Sequence, residues 1–170
     1  MVDGIMKLRS NKGNSLAEFA ISMALMATLA ATAAPAFSRI GESAKAKQTE
    51  RNLETISSAA RQYFNQRVQI SGMGIFPGQA VRSDNVGSIV DDGDRRIEQH
   101  EIAEGEFISV WQDTVFLHMF DNDTIMSPYQ DGRYDFAVVG GSGSGEAIQS
   151  PIFVVVDIEN PEDFYYYFKP

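Results

Sequence analysis

A run of nineteen uncharged residues, Phe19 to Phe37, constrains this chain more than any other feature of its sequence. Counted from Leu16, the run is long enough to cross a bilayer as a single helix. Glu18 is the one carboxylate between Leu16 and Phe37. Because a charge is costly in an apolar medium, a carboxylate in this position is a candidate functional residue. The only hydroxyl groups between Phe19 and Phe37 belong to Ser22, Thr28 and Thr32.

Basic residues precede the apolar run. Lys7, Arg9 and Lys12 are opposed by a single acidic residue, Asp3. An excess of positive charge next to a membrane helix favours a cytoplasmic position for that flank. The sequence therefore predicts that the first segment stays inside the cell and that the residues after the helix are exported.

Three residues at fixed offsets connect the basic segment with the apolar run. Gly13 closes the basic segment, Glu18 is the fifth residue after it, and Pro35 is the twenty-second. In these offsets the chain resembles the type IV pilin and pseudopilin family. That family has a short basic leader ending in Gly, a Glu as fifth mature residue, an apolar helix and a Pro at mature position twenty-two. The pair Glu18-Phe19 is also similar to the Glu-Tyr or Glu-Phe pair of the tight-adherence pilins.

The resemblance implies a defined maturation step. A prepilin peptidase would cut the Gly13-Asn14 bond and N-methylate the new terminus, so this protein would be a substrate and not an enzyme. The family usually has Phe as first mature residue and an aliphatic residue before the Glu, whereas this chain has Asn14 and Ala17. Glu18 would neutralise the new α-amino group of a neighbouring subunit, and opposite charges attract strongly in apolar surroundings.

The resemblance also implies partners and a location. The partners would be copies of the chain and related pilins in a helical filament, the prepilin peptidase, and an inner-membrane assembly platform. The protein would lie in the inner membrane before assembly, and afterwards in a periplasmic or extracellular filament. Pro35 would contribute to assembly, because pilin-like filaments commonly loosen the helix in this region.

A conventional secretory signal peptide is the alternative interpretation of the N-terminal segment. Positive residues, an apolar core and the small residues Ala31-Thr32-Ala33 satisfy that description too. Cleavage there would leave a secreted or membrane-anchored soluble domain that binds a ligand, with calcium as one candidate. Two features favour the pilin-like interpretation. Glu18 is unusual near the start of a signal peptide, and the helical pattern continues beyond Ala33.

The periodicity predicts one helix from Asn14 to Arg67, roughly 80 Å long at ~1.5 Å per residue. Pro35 lacks an amide hydrogen and is expected to kink or locally melt the helix near Ala31, with Gly41 as a second weak point. The first half is apolar on all sides, so lipid or neighbouring subunits must cover it. The second half is amphipathic, with an apolar stripe of Leu53, Ile56, Ala60, Tyr63 and Phe64.

The fold class predicted is α+β, with the long helix packed by a small C-terminal antiparallel sheet. Residues 1–13 form the leader, 14–37 the membrane or filament-core helix, 38–67 its amphipathic continuation, and 68–170 the globular domain. The stretch between Gly78 and Glu106 is expected to be irregular. Segments rich in β-forming residues predict strands at Phe107–Trp111, Thr114–Phe120, Tyr134–Val139, Ile152–Val156 and Phe164–Phe168.

A second, shorter segment carries the same resemblance. Ser127-Pro128-Tyr129, followed by Gly132-Arg133-Tyr134-Asp135-Phe136, is similar to the Asn-Pro-Tyr and Gly-x-Tyr-Asp segment of pseudopilins. Together with the absence of cysteine, it favours the pseudopilin side of the family. The chain has no disulfide and no thiolate nucleophile.

The net charge and the remaining motifs bear on nucleic-acid binding, phosphate binding, catalysis and calcium binding. The chain carries a net charge of −9, which argues against a nucleic-acid partner. The Gly-rich stretch Gly140–Gly145 lacks the Lys-Ser/Thr of a phosphate loop and is expected to be a flexible loop. His100 and His118 lack a recognisable catalytic or metal-binding partner, so no enzymatic activity and no cofactor are predicted. The acidic residues that offer oxygens suited to Ca²⁺ are Asp91, Asp92, Asp94, Asp121, Asp123 and Asp131.

Overall fold

The computed structural model describes residues 12–88, 95–112, 125–130, 132–142 and 149–170, with side chains from residue 16 onward. The described residues form two helices and four strands. These are α1 (Lys12–Ser71), α2 (Gln99–Glu104), β1 (Ile108–Ser109), β2 (Tyr134–Val139), β3 (Ile152–Asp157) and β4 (Tyr165–Phe168). The predicted α+β class, one long N-terminal helix followed by a small antiparallel sheet, is confirmed.

Helix α1 extends four residues beyond the predicted Arg67 and ends at Ser71. Gly72 follows with a φ of 71°, a left-handed conformation that glycine adopts without steric cost. Its N–H donates to the carbonyl of Val68 at 2.9 Å. This is the usual way in which a glycine ends a helix.

Pro35 lies inside α1, and the residues around it remain helical. The prediction that the helix melts locally near Ala31 is therefore wrong for a single copy of the chain. Proline removes one amide donor from a helix, and the hydrogen bonds of the flanking turns are enough to keep the backbone helical. Gly41 also stays helical, and a Cβ added there would meet no atom within 4 Å.

The chain divides into two compact units, residues 1–44 and 45–170. The described part of the first unit is the apolar portion of α1. The second unit contains the rest of α1 and the sheet, whose strand order is β1-β2-β3-β4 with every neighbouring pair antiparallel. Strands β2 and β3 pair along their whole length, from Tyr134 opposite Asp157 to Val139 opposite Ile152.

One face of the sheet packs on the amphipathic part of α1. Phe76 lies at the centre of this core, with its ring centroid 5.0 Å from that of Phe64 and 5.4 Å from that of Phe153. Tyr63 belongs to the predicted stripe but is only half-buried. The Arg67 guanidinium lies 5.6 Å from its ring centre, so Tyr63 lies at the rim. The helix residues that are buried in this core are Leu53, Ile56, Ala60 and Phe64.

The other face of the sheet carries a second apolar cluster. Ile102 of α2 is buried there, and Ile97 and Phe107 pack beside it on Val154 and Val156 of β3. The prediction that residues 78–106 are irregular is therefore wrong at α2. The Glu98 N–H donates to the Glu101 carboxylate at 2.6 Å and closes the first turn. β3 is consequently buried on both faces, which explains its continuous apolar sequence.

The outer strands differ from their predicted bounds. β1 holds only Ile108 and Ser109 of the predicted Phe107–Trp111, because the chain turns after Ser109, whose carbonyl accepts from the Gln112 N–H at 2.9 Å. β4 begins one residue later than predicted, at Tyr165. The strand predicted at Thr114–Phe120 lies outside the described residues.

The described part of the Gly-rich stretch is packed against the loop before it, and the expectation of a flexible loop is wrong for Gly140 and Gly141. The Gly140 N–H donates to the Asn85 side-chain oxygen at 2.7 Å. The Gly141 N–H donates to the Arg82 carbonyl, also at 2.7 Å. A Cβ at Gly140 would lie 2.2 Å from the Ser83 carbonyl oxygen, so a glycine is required there by close approach of two backbones.

We expect Gly140→Ala to lower the free energy of unfolding by about 1–3 kcal/mol, because backbone atoms cannot move aside as a flexible side chain can. Gly41→Ala is the matched control, since its Cβ has free space and alanine favours a helix. Urea denaturation of the full chain in detergent micelles measures both variants. Equal stability of the two would contradict the close contact at Gly140.

Candidate functional site: an uncovered apolar helix and a buried polar cluster

The apolar portion of α1 is covered by no other described part of its unit. The most apolar 18-residue window has a mean hydropathy of 1.6 and none of it is buried, so the helix is long and apolar enough to cross a membrane. Leu16 is 75% exposed and Phe37 is 71% exposed. The large apolar side chains left uncovered are Leu16, Phe19, Ile21, Met23, Leu25, Met26, Leu29, Phe37 and Ile40.

The hydroxyl groups of this segment are hydrogen-bonded to their own helix. Ser22 donates to the Glu18 carbonyl at 2.8 Å, Thr28 to the Leu25 carbonyl at 2.8 Å, and Thr32 to the Thr28 carbonyl at 3.0 Å. Small hydroxyl side chains in helices commonly bond to carbonyls three or four residues earlier. None of these three hydroxyl groups is therefore left without a hydrogen-bond partner when the segment lies in apolar surroundings.

Glu18 is the only charged side chain between Leu16 and Ser38. It is exposed, and its carboxylate forms no ion pair within the described part of the chain. Gly13 and Asn14, the predicted processing residues, lie in the first turn of α1, and Pro35 lies further along the same helix. The helix thus holds all four predicted maturation and assembly residues, Gly13, Asn14, Glu18 and Pro35.

A buried polar cluster connects α1 with the sheet in the second unit. Asn52 of α1 donates from its amide nitrogen to the Tyr134 hydroxyl and to the Met126 carbonyl, both at 3.0 Å. Ser127 donates to the Asp157 carboxylate at 2.5 Å. Tyr134 and Asp157 are completely buried. Burial raises the pKa of the Tyr134 phenol, so this group remains a neutral hydrogen-bonding partner across the physiological range.

The Ser127-Pro128-Tyr129 segment forms the turn that supports this cluster. The Ser127 N–H donates to the Gly132 carbonyl at 3.1 Å, and the Gly132 N–H donates back to the Tyr129 carbonyl at 3.1 Å. Gly132 has a φ of 64°, which favours glycine. The second carboxylate oxygen of Asp157 accepts from the Asn160 N–H at 3.2 Å. The polar groups of this cluster form hydrogen bonds with one another. Such a network stabilises a fold, whereas a site that receives a substrate would keep polar groups available for it.

Of the two histidines and the six candidate calcium ligands, only His100 lies within the described residues. His100 is exposed on α2, with its Nδ1 3.4 Å from a Glu98 carboxylate oxygen, whereas His118 lies outside the described residues. Among the residues whose placement is described, no three His, Cys, Asp or Glu side chains could hold one metal ion. The candidate calcium ligands Asp91, Asp92, Asp94, Asp121, Asp123 and Asp131 all lie outside those residues, so the calcium prediction stays a prediction.

Sequence reasoning missed a contact of α1 with the last strand. Arg61 donates to the Tyr166 hydroxyl, and its guanidinium carbon lies 4.4 Å from the Phe168 ring centre. The alternation of Tyr166 and Phe168 with the exposed Tyr165 and Tyr167 was the available signal, since alternate residues of a strand face the same side. The sequence does not identify Arg61 as their partner.

Comparisons with protein-family models, with curated proteins and with solved structures gave no match to this chain.

Asp135 provides a test of the electrostatics at the sheet. Burial raises the pKa of its carboxyl group, and the Ser109 hydrogen bond and the Arg133 charge lower that pKa by less than burial raises it. One carboxylate oxygen of Asp135 is buried without a hydrogen-bond partner. The folded state therefore holds this proton more tightly than the unfolded state. The resulting stabilisation is complete below the ordinary pKa of 3.8 and is lost as pH rises through the folded-state value.

We expect Asp135→Asn to raise the free energy of unfolding at neutral pH by about 1 kcal/mol, because it removes a partly desolvated charge. The difference from the parent chain should shrink as pH falls towards about 3.5, where Asp135 is itself protonated. Urea denaturation across this pH range measures the effect. The exposed Asp163→Asn is the control, and a lower stability of Asp135→Asn at neutral pH would contradict the interpretation.

Proposed function

We propose that this chain is a structural subunit, a pilin or pseudopilin, of a type IV pilus-like or type II secretion-type filament. Its N-terminal helix is inserted in the inner membrane before assembly. The observation that carries the proposal is the apolar half of α1, which is long enough to span a bilayer and is uncovered in its own unit.

The magnitude of the uncovered surface supports this conclusion. Burial of one large apolar side chain is worth about 1.5–3 kcal/mol. Nine such side chains, from Leu16 to Ile40, are uncovered in α1, so their burial is worth on the order of 10–25 kcal/mol. A whole domain is typically stable by only ~5–15 kcal/mol. Lipid first and neighbouring helices afterwards would supply the burial that the chain does not supply itself.

Glu18 supports a filament more than a simple anchor. A carboxylate in apolar surroundings is costly when alone, and a partner of opposite charge compensates for that cost. The α-amino group created by cleavage after Gly13 would be such a partner on an adjacent helix. The pair would form at one longitudinal stagger of the two helices, so Glu18 would set how far one subunit is displaced from the next.

The first test is the chemical identity of the native N-terminus. We expect intact mass and N-terminal sequencing to show a chain that begins with methylated Asn14. Gly13→Leu should keep residues 1–13 attached, because the peptidase would lose its recognition residue. A native N-terminus at Ala34 would instead show signal-peptide cleavage after Ala33 and a secreted domain, and would overturn the proposal.

The second test addresses the carboxylate. Glu18→Gln should leave the protein in the membrane fraction but reduce filament yield at least about tenfold, because it removes the negative charge with little change in size. Electron microscopy of sheared filaments, with membrane fractionation beside it, measures the two properties. Glu42→Gln is the matched control on the same helix. Normal filaments from Glu18→Gln would exclude the charge pair.

A further inference from the structure

A cavity of about 290 Å³ lies on the side of the sheet that faces α2. Two carboxylate side chains line it, Asp135 of β2 and Glu106 of the segment after α2. In the part of the chain that the structure describes, no Lys, Arg or His lines it. The rest of its wall is mostly apolar, and the apolar residues are Ile102, Ala103, Phe107, Val156, Ile158 and Pro161.

Asp135 is held in a fixed place at this cavity by the sheet. It lies opposite Ser109 of β1 on one side and opposite Val156 of β3 on the other. Alternate residues of a strand face the same side, so Tyr134 and Phe136 pack in the core on α1 while Asp135 is on the face towards α2. That face is otherwise apolar around Ile102 and β3, and Asp135 places a carboxylate in it.

The chain compensates poorly for the charge of Asp135. One of its oxygens is buried without a hydrogen-bond partner, and burial raises the pKa of the carboxyl group by more than Ser109 and Arg133 lower it. Arg133 is itself exposed. The side chain of Asp135 is only partly buried and lines the cavity. A titratable group that is perturbed by burial and lines a cavity is a candidate binding group.

The composition of the wall indicates the class of ligand. A cation in the cavity would compensate for the Asp135 charge, since an opposite charge nearby favours the ionised carboxylate. Ca²⁺ takes six to eight oxygen ligands, whereas within the described residues no three His, Cys, Asp or Glu side chains could share a metal ion. An apolar wall instead suits a hydrocarbon group. The volume of about 290 Å³ is at the lower end of the range for ligand pockets, so the ligand is small.

We propose that this cavity binds a small primary amine in its ammonium form. The ammonium group would lie beside Asp135, and the short hydrocarbon chain would lie along Ile102 and Val156. Glu106, which is exposed, adds a second negative charge to the wall. This ligand site lies in the second unit and goes beyond the filament role, because it requires neither processing of the chain nor its assembly.

The test is a titration of the full chain, in micelles of an uncharged detergent, with n-butylammonium chloride. The ¹³C methyl resonances of the isoleucines report the binding by NMR. Ile102 and Ile158 line the cavity, and both should shift saturably. Ile56, which is buried in the core on α1, is the internal reference and should not shift. Butan-1-ol has a similar size and no charge, so it should bind at least about tenfold more weakly than butylammonium.

The variant that tests the carboxylate is Asp135→Asn. It should lower the affinity for butylammonium at least about tenfold, because it removes the charge and keeps the shape, and it should abolish the preference for butylammonium over butan-1-ol. Asp163→Asn is the matched control, since Asp163 is exposed and lies outside the cavity, and it should bind as the parent chain does. The Ile56 resonance shows whether each variant is folded.

Several results would overturn the inference. The absence of a saturable shift at Ile102 and Ile158 would show that the cavity binds no amine. Equal affinity for butylammonium and butan-1-ol, or an unchanged affinity in Asp135→Asn, would show that the carboxylate does not recognise the ligand. Displacement of butylammonium by equimolar CaCl₂ would identify a metal site instead.

A last comparison concerns the source of the ammonium group. Nα-acetyl-lysine methylamide carries the same group on a peptide unit, and tighter binding of this probe than of butylammonium would show that the occupant is a lysine side chain of another protein and not a free amine. Because none of these measurements depends on the N-terminus of the mature chain or on filaments, their failure is distinct from that of the filament proposal.

Discussion

The burial of apolar surface along a single helix is the constraint on which the rest of this structure depends. α1 has 60 residues, and its two parts meet that constraint differently. In residues 45–71 the sheet covers one side of the helix, and a narrow apolar stripe is sufficient. In residues 16–37 the apolar surface surrounds the helix, so no single domain packed on one side could cover it. The requirement for an external apolar environment follows from this geometry.

The polar cluster gives the helix and the sheet a defined register. Apolar packing alone tolerates some sliding of one element along another, whereas a hydrogen bond is directional and short. Asn52 contacts both the Tyr134 hydroxyl and the turn at Met126, and Asp157 fixes that turn through Ser127. A shift of the helix by one residue would leave several buried polar groups unsatisfied, which is costlier than a comparable loss of apolar contact.

The sequence was sufficient for the elements whose burial is continuous and long. The helix and strands β2 and β3 are predicted correctly because their apolar patterns extend over whole elements. α2 was missed because six residues are too few for a helical period to be recognised, and its burial depends on a sheet that forms later in the chain. The packed Gly140 and the Arg61–Tyr166 contact depend on residues far apart in sequence. The roles of Gly13 and Glu18 stay predictions from their offsets, since their predicted partners belong to other molecules.

The self-contained hydroxyl groups of the apolar segment have a consequence for transfer between environments. Ser22, Thr28 and Thr32 complete their hydrogen bonds inside one helical turn, so none of them has to exchange partners when the surroundings change. For these three side chains, movement from hydrocarbon chains to a packed protein interior would break and form contacts of dispersion type only, so their exchange between the two surroundings is nearly isoenergetic in polar terms.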